Sequence, residues 1–245
     1  EKIDKPQIET IENTKTYQWT SSYAPATNEP YSPNQHDIAP HVTVTTNDFF
    51  YGIAGKLDTW QNFGKWYTDM HKDLYILTPY EQEVVDKIAA EASTNNEKID
   101  RLYHHLQTSK RYINVSIDLG GIKSQPAQYV CTNGYGDCKA LSNYMKALLM
   151  RAGIQSNIAL VYGDEIPLQP PTQFPCDRFN HVILCVPNKG DTTWLECTSS
   201  INPTGYLGSF TQNRLVLLVD DDNSKLVKTP KLNTEQCLVV KTCHI

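Results

Sequence analysis

The stretch Asn133-Gly134-Tyr135-Gly136-Asp137-Cys138-Lys139, with the apolar repeat behind it, constrains this chain more than any other feature. Glycine reaches backbone angles closed to other residues, so Gly134 and Gly136 predict a tight, closely approached turn. Beyond it Leu141, Tyr144, Met145, Leu148, Leu149 and Ala152 recur at three- and four-residue spacing, which predicts an amphipathic helix that Gly153 is placed to stop. Cys138 therefore falls in the first turn of a helix with a buried flank. Free backbone amides and the positive end of the helix dipole favour a thiolate there. Asp137 opposes that effect and Lys139 supports it. A cysteine in this position is either a small packing residue or a nucleophile, and the residues downstream decide which.

A chain of 245 residues can bury one large core or two smaller ones. Its net charge of -5 and pI of about 5.8 leave no basic footprint for nucleic acid or an anionic membrane, so no nucleic-acid partner is expected. No apolar run approaches the roughly 20 residues that span a bilayer. The sequence begins at Glu1 without methionine or a signal-like segment, which reads as a mature product or a cut piece. Seven cysteines are an odd number, so at least one is free or paired between molecules. They are too sparse for a disulfide scaffold, they form no C-x-x-C pair, and they leave the redox compartment open. Cys176, His181 and Cys185 have a superficial metal spacing. On one strand, however, His181 and Cys185 would lie about 13 Å apart, too far for one ion. No metal or cofactor is expected.

Taken in order, residues 1 to about 60 read as strands and long loops, with Thr16–Thr20 and His41–Thr45 as strands and a proline-rich connection from Ala24 to Pro40. His36 and His41 lie in that connection and at its end as surface histidines. Trp60, Phe63, Trp66, Tyr67 and Met70 recur at helical spacing as a core stripe. Thr78-Pro79-Tyr80-Glu81 is a capping box opening a helix with Val84, Val85, Ile88, Ala89 and Ala92 inward. A further helix starts near Asn95 or Asn96, with Ile99, Leu102, Tyr103 and Leu106 inward and His104 and His105 on its surface. Strands are expected at Arg111–Ile117, Ser156–Tyr162, Asn180–Val186, Thr193–Cys197 and Leu215–Val219, and Cys237–Val240 could add another.

A thiol at a helix start, a histidine in a strand and a carboxylate in the next antiparallel strand form the set a cysteine nucleophile needs. The thiol requires a base, and the base requires a third group to hold its ring and stabilise the imidazolium. A turn through Asn188–Asp191 can bring His181 and Glu196 to one face, and alternation puts Trp194, Glu196 and Thr198 on one side of their strand. Singly, a strand histidine is a common core residue and Glu196 a common strand-end charge. The conjunction distinguishes them.

At Tyr135-Gly136-Asp137-Cys138-Lys139, Phe179-Asn180-His181-Val182 and Trp194-Leu195-Glu196-Cys197-Thr198 the sequence resembles the transglutaminase-like superfamily, a branch of the papain-type cysteine fold. Arg111-Tyr112 and Gly120-Gly121 with Gln125-Pro126 resemble the lead-in of bacterial members, and the resemblance runs from about Asn96 to Val219. It implies an α+β fold with the nucleophile helix packed on an antiparallel sheet. It also implies Cys138 as nucleophile, His181 as general base and Glu196 as orienting carboxylate, with Gln125 or a backbone amide near Cys138 holding the oxyanion. The family's usual third residue is Asp followed by Pro. Here Glu196 and Cys197 stand in those places, which lengthens the reach by about 1.5 Å.

The domains expected on this basis are residues 1–75, the end of a β-rich module with a linking helix; 76–222, the transglutaminase-like domain; and 223–245, a tail that could begin another β module. The expected function is a cysteine enzyme acting on amide bonds of protein or peptide substrates through a thioester. Hydrolysis is favoured over cross-linking because no second amine site is marked. The alternatives are a non-catalytic module that binds a peptide or glycan in the same cleft, and a spacer between exported domains. Related bacterial proteins are often exported, so a periplasmic or cell-surface location follows from the resemblance alone.

Overall fold

The computed structural model describes residues 5–21, 41–114, 121–165, 168–188, 191–233, 235 and 241–243. The chain forms two compact units, Glu1–Thr45 and Thr46–Ile245. In the first, β1 (Gln7–Ile11) and β2 (Thr14–Gln18) make an antiparallel hairpin whose residues are all exposed. The alternating His41–Thr45 run is not a strand. His36 lies outside the described residues.

The second unit opens with the hairpin β3 (Asp48–Tyr51) and β4 (Ile53–Lys56), followed by helix α1 (Trp60–His71). Phe49 meets the edge of the Trp66 ring with centroids 4.7 Å apart, seating the hairpin on α1. Phe63, Trp66, Tyr67 and Met70 are buried, as their spacing requires, so α1 belongs to the main core and the expected boundary near residue 75 falls inside this unit. Helix α2 (Pro79–Glu91) is capped by Thr78, whose hydroxyl accepts from the Glu81 N–H at 3.3 Å. The Glu81 side chain does not reach back to complete a capping box. It is buried, and accepts from the Tyr144 hydroxyl at 2.6 Å, from Lys110 Nζ at 3.2 Å and bonds His105 Nε2 at 2.6 Å. His105 is therefore a partner of a buried carboxylate and not a free surface residue. Helix α3 (Asn95–Ser109) buries Ile99, Leu102, Tyr103 and Leu106.

The expected strand at Arg111–Ile117 is short: β5 (Arg111–Tyr112) pairs in parallel with β6 (Tyr135–Gly136), and residues 115–120 lie outside the described set. Between these strands runs α4 (Ala127–Asn133), ended by Gly134 at φ +73°. Gly136 is buried, and a Cβ there would stand 2.8 Å from Ala140, so this glycine serves close packing at the next helix. Helix α5 (Cys138–Arg151) follows and lies on a five-stranded antiparallel sheet. Its strands are β7 (Asn157–Val161), β8 (His181–Asn188), β9 (Asp191–Leu195), β10 (Leu215–Val219) and β11 (Lys225–Lys228), in the order β11-β10-β7-β8-β9.

Leu160, Val182, Leu184 and Leu217 face the helices. Ala159, Val161, Ile183, Cys185, Trp194 and Val216 form a second apolar cluster with Leu207, next to the short helix α6 (Gly208–Thr211). β11 was not expected from its sequence, Lys-Leu-Val-Lys, because two of its four residues are charged and exposed at the sheet edge. The segment Cys237–Val240 lies outside the described residues. Overall the fold is α+β, with the nucleophile helix packed on an antiparallel sheet.

Candidate active site

Cys138 is the first residue of α5 and is buried. Asp137 caps the helix, its carboxylate accepting from the Ala140 N–H at 2.8 Å, and its other oxygen pairs with Lys139 Nζ at 2.6 Å. The two charges that flank the thiol in the sequence thus neutralise each other in space. Two buried polar residues on the next turn fix where Cys138 sits. The Ser142 hydroxyl donates to the Val182 carbonyl at 3.1 Å, and Asn143 Nδ2 to the Leu74 carbonyl at 2.9 Å. The first of these bonds ties α5 to the residue beside His181, so helix and sheet cannot slide past one another without leaving buried groups unpaired.

His181 opens β8 and is buried. Its Nε2 bonds both carboxylate oxygens of Glu196, at 3.0 and 3.1 Å, and the ring lines the same cavity as Cys138. Since Glu196 occupies Nε2, Nδ1 is the nitrogen left for sulfur. Burial alone would lower the basicity of this imidazole, but Cys138 and Glu196 outweigh it and push its pKa up to about 10. These neighbours favour the charged imidazolium. The Phe210 ring stands edge-on to it at 5.3 Å.

The register explains why glutamate reaches. Leu184 faces Leu195, so continuing the ladder sets Glu196 opposite Ile183 and places His181 diagonally from it on the same face. A diagonal pair is separated by about 7–8 Å at Cα, more than a direct pair, and the extra methylene spans the difference. Glu196 is held from three further directions. The Thr198 hydroxyl donates to Oε1 at 2.6 Å, the Thr211 hydroxyl to Oε2 at 3.4 Å, and the Tyr103 hydroxyl to the Glu196 carbonyl at 2.8 Å. Burial would raise the Glu196 carboxyl, and His181 with Thr198 reverses this and holds it low.

Cys138 and His181 open onto a cavity of about 550 Å³, within the usual range for ligand pockets. Its walls include Tyr51, Phe63, Tyr67 and Phe179, with Lys139, Asp177 and Asn180 as polar members. Tyr51 comes from β3, and its hydroxyl accepts from the Ile122 N–H at 3.2 Å. Tyr67 is stacked on His71 at 4.0 Å. His71 in turn bonds the Tyr67 carbonyl through Nδ1 at 2.7 Å and accepts from the Ser124 N–H through Nε2 at 3.0 Å. Of these wall residues, the sequence places Phe63 and Tyr67 in a core stripe, because nothing local reveals which part of an apolar stripe borders a cavity. For Thr198 a signal existed, since alternation already set it on the Glu196 side. Gln125 is exposed and is not part of the cavity wall; its carbonyl accepts from the Ser124 hydroxyl at 2.8 Å. Among the described residues no cluster of His, Cys, Asp or Glu is arranged to hold a metal ion, and no helix is long and apolar enough to cross a membrane.

With this geometry established, the family profile described as transglutaminase-like superfamily matches residues 82–205, just over half of the chain. The chain belongs to the transglutaminase-like superfamily. The matched span holds Cys138, His181 and Glu196. Among solved structures this transglutaminase-like chain is similar to a candidate protease from Parabacteroides distasonis, with TM-score 0.58 and 14% identity over 94% of this chain and 41% of that one. It also matches a candidate cysteine protease from Cytophaga hutchinsonii, with TM-score 0.39 and 13% identity over 57% of this chain and 47% of that one. The first likeness is one of fold, and the present chain spans about two-fifths of that protein's length. No curated protein matches the sequence.

Proposed function

We propose that the protein hydrolyses amide bonds of peptide or protein substrates through a thioester on Cys138. The observation that carries this reading is His181, bonded through Nε2 to the buried Glu196 and lining one cavity with Cys138. In the first half-reaction the sulfur attacks the amide carbon, and the carbonyl oxygen gains negative charge. The Cys138 N–H, at the unpaired amino end of α5, and the buried Tyr67 phenol in the same wall are the candidate donors to that oxygen. Gln125, exposed and outside the wall, is not retained in this role. The C–N bond breaks as His181 gives its proton to the departing amine, leaving a thioester and a neutral imidazole. A water then loses a proton to His181 and adds to the thioester; the C–S bond breaks, releasing the acid and restoring the starting pair.

Glu196 acts through His181, orienting the ring and stabilising its charged form. Water is favoured over an amine as the second nucleophile because nothing in the sequence marks a second amine site. Chloroacetamide labelling followed by peptide mapping tests the reading. Cys138, although buried, is expected to react faster than the exposed Cys243, and His181→Ala is expected to remove that advantage. Labelling of Cys243 ahead of Cys138 would refute the proposal.

A further inference from the structure

The charges around the cavity do not cancel. Lys139 is matched by Asp137 at 2.6 Å and His181 by Glu196 at 3.0 Å. Asp177, in the segment leading into β8, lines the same cavity and has no such partner. It accepts one long hydrogen bond, from the Phe179 N–H at 3.4 Å, and forms no ion pair among the described residues. Asp177 is exposed where it lines the cavity, so its carboxylate is open to an incoming group. The rings of Tyr51, Phe63, Tyr67 and Phe179 line the same cavity, and aromatic faces attract cations. A wall with one unmatched carboxylate and several aromatic faces fits a positively charged group.

We propose that the cavity selects substrates carrying a primary ammonium group, which pairs with Asp177 among the aromatic rings while the neighbouring amide lies at Cys138. The inference rests on the proposed amide chemistry for its meaning, since the ammonium group belongs to the acyl part of the substrate. It narrows that substrate to peptides with an unblocked amino terminus, or with a lysine-type side chain, close to the cut bond. The cavity volume of about 550 Å³ leaves room for only a short portion of peptide on that side of Cys138.

Calorimetric binding to the Cys138→Ala protein tests this without requiring turnover. The probes are tetra-alanine amide with a free amino terminus, its N-acetyl form, and N-acetyl-Ala-Lys-Ala-amide. A charge-assisted contact is worth about 1.5–3 kcal/mol, so one of the two ammonium peptides is expected to bind about tenfold to a hundredfold tighter than acetyl-tetra-alanine amide. Preference for the free terminus or for the lysine peptide identifies which source the site reads. Adding Asp177→Asn is expected to reduce the advantage to less than about threefold, and Asp177→Glu to keep part of it, because the carboxylate is retained. Equal binding of blocked and unblocked peptides, an advantage that survives Asp177→Asn, or no binding of any probe would each overturn the inference. The amide chemistry is judged separately, by Cys138 labelling in the wild-type protein, so either idea can fail while the other stands.

Discussion

Glu196 shows how much one methylene decides. An aspartate at this place, set diagonally from His181, would fall short by about 1.5 Å of a contact that glutamate closes at 3.0 Å. Thr198 and Thr211 satisfy the remaining lone pairs of the longer side chain, so the carboxylate is buried without an unpaired oxygen. Glu196→Asp and Glu196→Gln are both expected to lower kcat/KM on an amide substrate by about 10²–10⁴, with the Asp variant the milder if strand movement restores part of the contact. The same variants move a titration. His181 gains stability from its partners that is fully present below its ordinary pKa of about 6.5 and is lost as pH rises through about 10. Removing the Glu196 charge weakens the imidazolium, so the alkaline limb of the His181 titration, followed by NMR, is expected to shift downward. An unchanged limb would show that Cys138 alone sustains the charge.

At the scale of elements, three helices are joined by one buried carboxylate. Glu81 on α2 meets His105 on α3, Lys110 at the end of α3 and Tyr144 on α5. Burial would raise its carboxyl, but these partners reverse the effect and hold it at about 2. A carboxyl with a depressed folded pKa stabilises the fold above its ordinary value of 4.5, and that contribution is lost as pH falls through about 2. His71 adds a separate acid sensitivity. Burial keeps its ring neutral down to about 4, so stability is lost as pH falls from 6.5 towards that value. Glu81→Gln is expected to cost about 2–4 kcal/mol at neutral pH and to flatten the loss between about pH 4.5 and 2, while leaving the His71 step in place. Urea unfolding across this pH range measures both. Because α5 carries Cys138, loosening this junction reaches the site through the helix that bears the nucleophile.

For the whole molecule, the useful question is where the folding unit that builds the site begins. The compact unit starts at Thr46, and its first helix supplies Phe63, Trp66, Tyr67 and Met70 to the core and Tyr67 to the cavity. Burying each such side chain contributes about 1.5–3 kcal/mol, so losing four of them removes an amount comparable with a domain's entire stability of about 5–15 kcal/mol. A fragment of residues 46–245 is expected to unfold cooperatively within a few degrees of the full chain. One of residues 76–245 is expected to lack a cooperative transition by circular dichroism. Cooperative folding of the shorter fragment would restore the boundary first read near residue 75.

The sequence by itself determined the elements whose reasons are local. The Cys138 helix, the α1 stripe, the Thr78 cap, the strand that His181 opens and the strand that ends just before Glu196 all follow from periodicity and turn residues within a few positions of each other, because backbone geometry repeats at short range. It also carried the order of thiol, imidazole and carboxylate that raised the question of chemistry. Tertiary structure alone decided the rest. The bond from Ser142 to the Val182 carbonyl, the reach of Glu196 to His181, Tyr51 and Tyr67 as cavity walls and Glu81 as a junction each join residues apart in the chain. Such meetings depend on how elements pack, and apolar spacing records only that a face is buried, not what it will be buried against.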